Sequence, residues 1–386
     1  MMRNDACQAR WLTEDVLMVG ETARRFFEQE FAPNIDRWRE QGMIDRSLWE
    51  AAGRAGLLGC SLPEDVGGAG NRAFMAITLI EQGRTGDAAW GISVHDYVCH
   101  YILAFGTEAQ KTRWLPKLIS GEMVAAIALT EPDAGSDLKT IRTSAVASGD
   151  KYIVNGQKTF ITNGQTADLI CVAVKTDPAA GAKGVSLLMV ETDKTPGFRR
   201  GRKLHKIGLH AADTSELFFE DMEVPADNLL GGQEGQGFKQ LMLQLGWERL
   251  SIALRCVGMA EFALEQTVRH VRDRKAFGGT LFDLQNTQFT LADAKTSLEA
   301  MRFFCYGCVD ALLEGRLDPA LAASAKLFAT DQLNTLVDSC LQLHGGYGFM
   351  DEYPIARMFG DARAAKIYGG SNEVMKMLVA RSLAVD

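Results

Sequence analysis

The sequence predicts an α+β protein in three units: an N-terminal helical domain over 1–122, a small β-barrel or sandwich over 123–233, and a C-terminal four-helix bundle over 234–386. Two observations carry this reading. Near Met123 the hydrophobic period changes from helical to alternating and β-branched. It changes back after Gly231-Gly-Gln-Glu-Gly-Gln-Gly237, a glycine-rich linker. A chain of 386 residues is long enough for two or three such units.

In the first unit Val16, Val19, Ala23 and Phe26 recur at helical spacing, and apolar helices are expected over 74–82 and 90–105. In the second, strands are expected over 124–129, 151–154, 160–162, 169–174, 185–190 and 217–224, with Asn155-Gly156 as a tight hairpin turn. In the third, long apolar helices are expected over 239–271, 284–313, 319–343 and 371–383, joined by short connections as in a bundle.

Composition narrows the function. A net charge of -8 without a long block of one sign argues against a nucleic-acid or anionic-membrane binder. No apolar run approaches the roughly 18 residues of a spanning helix. Among the eight cysteines, Cys305 and Cys308 form the only CxxC pair, which leaves a zinc site short of ligands, so no metal is expected. The N-terminus has no secretory pattern, and the expectation is an untargeted, cytoplasmic protein.

The chemistry-bearing segments are Ala126-Ile-Ala-Leu-Thr-Glu-Pro-Asp-Ala-Gly-Ser-Asp137 and Lys158-Thr-Phe-Ile-Thr-Asn-Gly164. The first runs a strand into a loop of hydroxyls and backbone N–H groups. The second puts Phe160 and Thr162 on one face of a strand. A flat ring with polar edges, such as a flavin, needs donors at its edge and a wall beside its face.

With Arg274-Lys-Ala-Phe-Gly278, and with Gln342-Leu-His-Gly-Gly-Tyr-Gly348 leading to Ile367-Tyr-Gly-Gly-Ser-Asn-Glu373, these segments make four separated motifs in one order. The chain resembles the flavin-dependent acyl-CoA dehydrogenases over nearly all its length. The long-chain and isovaleryl type is closest in pattern. The resemblance implies FAD, an acyl-CoA substrate, a homotetramer built as a dimer of dimers, and electron-transferring flavoprotein as oxidant. It implies that Ile127, Leu129, Thr130 and Ser136 lie along the flavin and the thioester, with Ser136 also against the substrate. Phe160, Ile161 and Thr162 would wall the ring. Arg274 and Phe277 would serve the pyrophosphate of a neighbouring subunit's FAD. Gln285, Gln342, Gly345 and Gly346 would hold its adenosine side, and Ser371 and Glu373 more of the cofactor.

The reaction implied removes a proton from the α-carbon and a hydride from the β-carbon, giving a trans-2-enoyl-CoA. The base should be a carboxylate whose pKa is raised by burial. Many relatives carry a glutamate just after the tyrosine of Ile-Tyr-x-Gly, but here that position is Gly369. The other placement in the family is the first bundle helix, which puts Glu248 forward. Gln244, Glu248, Ser251 and Arg255 form one polar stripe at helical spacing. Such a stripe is more commonly solvated, yet the rest of this helix is apolar almost all round, so the stripe is expected to face a cavity. Arg249 is either an ion-pair partner or a substrate-orienting residue. Gly369 and Gly370 are expected against the substrate, with the Gly369 N–H toward the thioester carbonyl. His344, His95 and His100 read as packing residues. The acyl group is medium or long, or branched. Rival readings are an acyl-CoA or nitroalkane oxidase on the same fold, a dehydrogenase for a terpenoid acyl-CoA, and a non-catalytic CoA-binding assembly protein.

Overall fold

The computed structural model describes residues 9–384. The outer ends of the two flanking domains, 1–8 and 385–386, lie outside the described residues. Six α-helices come first: α1 (Glu14–Phe26), α2 (Ile35–Gln41), α3 (Arg46–Arg54), α4 (Arg72–Gly83), α5 (Ile92–Phe105) and α6 (Glu108–Ser120). Local chemistry sets their ends. The Thr13 side chain accepts from the Val16 N–H at the start of α1, and Thr107 and Gln110 close a reciprocal cap on α6. Helices α4 and α5 are buried nearly all round, as their uninterrupted apolar runs predict.

Seven strands follow: β1 (Ala125–Ala128), β2 (Ser144–Ser148), β3 (Lys151–Thr162), β4 (Leu169–Lys175), β5 (Val185–Glu191), β6 (Phe198–Lys203) and β7 (Thr214–Pro225). Strand β4 stands between β1, parallel to it, and β5, antiparallel. Strands β2, β3, β7 and β6 form an antiparallel run, joined to β4 where Ser144 meets Lys175. Every residue of β4 and β5 is buried. Ile170, Val172, Leu188 and Val190 face the β core. Leu169, Cys171, Leu187 and Met189 join the helical core. Strands covered on both faces read as continuous apolar runs rather than alternating ones.

The expected turn at Asn155-Gly156 is not there. Strand β3 runs straight through both residues, paired to β7 on either side of a register shift. The two-residue loop is Gly149-Asp150, between Ser148 and Lys151, with Gly149 at φ 65°. Asn155 instead bridges to Asp221, its amide donating to the carboxylate at 3.0 Å and its carbonyl accepting the Asp221 N–H at 2.8 Å. Strands β2, with only Ala145-Val-Ala147 apolar, and β6, mostly basic, add to the expected strands.

The last domain holds α7 (Gly237–Asp273), a small hairpin of β8 (Lys275–Ala276) and β9 (Gly279–Thr280), then α8 (Gln285–Leu313), α9 (Pro319–His344), α10 (Pro354–Ala365) and α11 (Asn372–Ser382). The hairpin and α10 add to the four expected helices. Helix α10 is short, and its buried stripe is only Ile355, Met358, Asp361, Ala362 and Ala365.

A buried ion pair ties the loop after β1 to strand β3. The Lys158 ammonium donates to Glu131 Oε1 at 2.8 Å and to the Leu129 carbonyl at 3.1 Å. Glu131 also accepts the N–H groups of Arg142 at 2.6 Å and Thr143 at 3.0 Å. Removing one partner of such a pair leaves a desolvated charge behind. Lys158→Met is therefore expected to destabilise the protein by about 3–5 kcal/mol, seen as a lower urea midpoint at unchanged slope. An unchanged midpoint would show that the pair contributes nothing.

Candidate active site

Strand β1 delivers the loop that begins at Thr130, and the Thr159 N–H donates to the Thr130 carbonyl at 2.9 Å. The two motifs singled out in the sequence therefore meet. Phe160 sits at φ 60° beside a register shift between Lys158 and Ile161, and its ring is 67% exposed. Thr162, Ile127, Leu129 and Thr130 are half-buried, and Ser136 is exposed. Ile161 corrects one expectation. Its side chain is buried in the β core, so it cannot wall a ligand with its side chain. Asn163 fixes the ledge to the helical domain, its amide donating to the carbonyls of Gly91 at 3.2 Å and Ala125 at 3.0 Å.

In the helical core, α5 and α7 meet in three polar rungs. Tyr101, Tyr97 and Ser93, spaced by four on α5, match Glu248, Ser251 and Arg255 on α7. The Tyr101 hydroxyl donates to Glu248 Oε1 at 2.8 Å. The Tyr97 hydroxyl donates to the Glu248 carbonyl at 3.2 Å and shares a hydrogen with Ser251 Oγ. Arg255 Nη1 donates to Ser93 Oγ at 3.4 Å. Gln244, Glu248, Ser251 and Arg255 are all buried, so the stripe faces protein rather than solvent.

Burial raises the Glu248 carboxyl to about pH 7, against weaker lowering by the Tyr101 hydrogen bond and the Arg249 charge. Burial and the adjacent carboxylate push the Tyr101 phenol well above its ordinary value, so it remains a donor. A carboxylate poised near neutrality is suited to proton abstraction.

Gly369 lies against the next turn of α7. A Cβ there would stand 2.4 Å from Ile252 Cδ1, and its φ of 67° disfavours any side chain. The turn is held by Lys326, a buried ammonium that donates to the Gly370 carbonyl at 2.9 Å and to Asn372 Oδ1 at 2.8 Å. Its pKa is lowered to about 8 by burial. Arg249 is buried and makes no ion pair within bonding distance among the described residues, and its Nε has no hydrogen-bond partner. That leaves it available to a ligand.

A second group gathers at the far end of α7. Arg274 is exposed, with its guanidinium 5.7 Å from the Tyr347 ring centre. Phe277, at the hairpin tip, is 92% exposed. Gly345, at φ 59°, ends α9, and Gly345, Gly346, Gln342 and Gln285 are exposed. Ser371 and the exposed Glu373 are not brought to this group: they start α11 beside the Gly369–Gly370 turn, where Ser371 caps the helix by accepting from the Val374 N–H and Asn372 is held by Lys326 and Thr330. No hydrogen bond or ring contact joins this group to Thr130 or Phe160 among the described residues. His344 is a packing residue, bonded to the Cys340 carbonyl at 2.9 Å and stacked on His270 at 4.2 Å. His95 is satisfied at both ring nitrogens.

Family models for the N-terminal, middle and C-terminal domains of acyl-CoA dehydrogenase match residues 13–122, 126–222 and 235–384. This chain belongs to the acyl-CoA dehydrogenase family. It is similar to the long-chain specific acyl-CoA dehydrogenase of rat mitochondria (Rattus norvegicus), 45% identical over 95% of this chain and 86% of the relative. Among solved structures it matches an acyl-CoA dehydrogenase from Geobacillus kaustophilus with a TM-score of 0.95 and 45% identity, over 98% of this chain and 100% of that one. A glutaryl-CoA dehydrogenase from Mycobacterium smegmatis in complex with FADH2 matches at 0.91 and 28% identity, over 98% and 96%.

The chain is thus an oxidoreductase of an FAD-dependent family. The residues fit that cofactor. Phe160 offers an open aromatic face held at positive φ, and the Lys158–Glu131 pair fixes the Thr130 loop beside it. Sequence reasoning missed Tyr101, Tyr97 and Lys326. Only the four-residue spacing of Ser93, Tyr97 and Tyr101, polar positions on an apolar helix, could have pointed to the first two.

The Glu248 carboxyl lies near 7 in the folded chain and at 4.5 as an ordinary glutamate. A raised carboxyl pKa means that ionisation opposes folding as pH climbs from about 4.5 through about 7. Glu248→Gln is expected to unfold at a higher Tm than the native protein at pH 8, with the gap closing by pH 5. An equal gap at both pH values would contradict the raised pKa.

Proposed function

We propose that Glu248 is the catalytic base of an α,β-dehydrogenation that converts a saturated acyl-CoA to its trans-2-enoyl-CoA. The observation that carries this is the buried Glu248 carboxyl, held near pH 7 and hydrogen-bonded to Tyr101. FAD, held by the residues named below, would supply the acceptor for the hydride that leaves the β-carbon. The chain's own residues do the rest. Glu248 takes the α-proton. The Gly369 N–H faces the thioester carbonyl and stabilises the enolate-like charge. Arg249 orients the substrate. The apolar surround excludes water, which strengthens these hydrogen bonds.

In this reading Ile127, Leu129, Thr130, Ser136, Phe160 and Thr162 line the ring and the thioester, with Ile161 contributing backbone only. Arg274, Phe277, Gln285, Gln342, Gly345 and Gly346 serve the pyrophosphate and adenosine of a neighbouring subunit's FAD, and Ser371 and Glu373 complete the cofactor contacts. That arrangement requires a homo-oligomer, proposed as a tetramer. The exposed Phe277 and Tyr347 beside Arg274 support a partner at this face. The domain limits proposed are 1–122, 123–233 and 234–386. Electron-transferring flavoprotein is the proposed oxidant and the cytoplasm the proposed location.

Anaerobic mixing with acyl-CoA is expected to bleach the flavin of the native protein. Glu248→Gln should slow bleaching by about a thousand-fold or more while the FAD spectrum is retained. Normal bleaching by that variant would remove Glu248 as base. Because the base must be ionised, kcat/KM should rise with pH through about 7. Tyr101→Phe removes a bond that favours the ionised form, so this limb should move to higher pH by about one unit. An unmoved limb would show that Tyr101 only packs.

A further inference from the structure

The Gly369–Gly370 turn is gripped on both sides by buried cations. Arg255 donates to the hydroxyl of Tyr368, just before the turn, at 2.7 Å. Lys326 donates to the Gly370 carbonyl at 2.9 Å and to Asn372 Oδ1, just after the turn, at 2.8 Å. Lys326 is 0% exposed. It meets neutral oxygens only, and no carboxylate lies within ion-pair distance of it among the described residues. Asp331, further along α9, is bonded to Lys366 at 2.7 Å instead. A buried ammonium without a counter-ion is costly, and a neutral amide has the donors for the same two bonds.

Arg249 ties this cation to the base. Its charge favours the ionised Glu248 carboxylate and disfavours the Lys326 ammonium, so it stands close enough to act on both. The three groups share one buried neighbourhood, where a charge acts over a longer distance than in water. The Gly370 carbonyl that Lys326 holds and the Gly369 N–H belong to adjoining residues. Both residues are left-handed, at φ 67° and 87°. A displacement of that carbonyl therefore re-aims the N–H.

We propose that Lys326 is a positioning residue of the dehydrogenation: it fixes the Gly369 N–H by holding the Gly370 carbonyl, and its charge favours the enolate-like state of the substrate. The inference rests on that N–H facing the thioester. When Glu248 takes the α-proton, the electron pair of the broken C–H bond spreads onto the thioester oxygen. A donor fixed beforehand, with a cation one residue behind it, stabilises that state more than the neutral thioester. Such a contribution speeds the chemical step rather than tightening substrate binding.

The test uses the FAD-loaded protein and a 3-oxoacyl-CoA. The β-carbon of this ligand carries no hydrogen, so it can lose its α-proton but transfer no hydride, and the ultraviolet absorbance of the enolate reports the ionisation. The native protein should hold it as the enolate at a lower pH than it ionises in water. Lys326→Met should raise the apparent pKa of the bound ligand by about one unit or more, with the flavin spectrum retained, and Lys326→Gln should raise it less. With a saturated acyl-CoA, Lys326→Met should lower kcat by about ten-fold or more while KM moves by less than about three-fold. An unchanged ligand pKa, or a loss that falls on KM with kcat intact, overturns the proposal. If Lys326→Met does not hold FAD, the unmodified protein decides. Burial lowers the Lys326 ammonium to about 8, and the groups that face it are Arg249 and Cys256 on α7, Asp331 on α9 and Glu373 on α11. Its kcat/KM should therefore fall again above about pH 8. A profile that stays flat to about pH 10 overturns the proposal. Failure of the underlying reading looks different: the native protein then leaves the 3-oxoacyl-CoA ionising as it does in water, and the proposal falls with it.

Discussion

The site depends on a backbone-to-backbone crossing between α4 and α7. A Cβ at Gly83 would lie 2.4 Å from the Arg255 carbonyl, and one at Gly258 would lie 2.1 Å from the Ile80 carbonyl. Only glycines allow the two helices to approach so closely. This contact locks the first domain to the longest helix of the last. With α7 fixed against α4, its polar stripe meets α5 in one register only, Ser93 to Arg255, Tyr97 to Ser251 and Tyr101 to Glu248. A shift of one residue would turn the stripe about 100° away from its partners.

Burial then acts in two opposite ways on the groups so placed. At Lys158 and Glu131 the charges are mutual, and backbone N–H groups take the remaining lone pairs, so the pair can act as a fixed strut. At Glu248 only a phenol and the charge of its neighbour compensate, and the carboxyl moves toward neutrality. One fold therefore holds a permanent charge at the β1–β3 strut and a titrating one on α7. Strands β4 and β5 make both possible. One face of each seals the β core, and the other closes the helical core beside Glu248, where the buried Cys171 thiol feels the carboxylate.

How much of this was legible in the sequence follows from how local each signal is. The long helices declared themselves by period, and the two segments that meet where Thr159 bonds Thr130 stood out as short motifs. Asn155-Gly156 misled because its turn chemistry was spent on a bridge to Asp221, on a strand about 65 residues away in sequence. Ile161 as a ring wall came from the resemblance, whereas plain alternation along the strand already puts it opposite Phe160 and Thr162, in the β core. The stripe on α7 was visible, and its burial followed from the apolar positions around it. Its partners on α5 were not, since the three rungs join residues about 150 apart and no local pattern specifies that pairing. Lys326 escaped notice for the same reason, being held to Gly370 and Asn372 across the bundle.

Gly369 gives the proposed placement of the base on the helix a structural reason. Its backbone is left-handed, and its Cα faces Ile252, one turn beyond Glu248. A side chain at 369 would strain the turn and displace Ile252 from the face that carries the base. Lys326 and Asn372 hold the turn in that shape from below, so the strain could not be relieved by letting the backbone relax. The position therefore offers backbone groups only. In the proposed reaction the proton acceptor comes instead from α7, a continuous helix of 37 residues packed on α4, α5 and α9, so its carboxylate is fixed by helix packing rather than by the conformation of a turn.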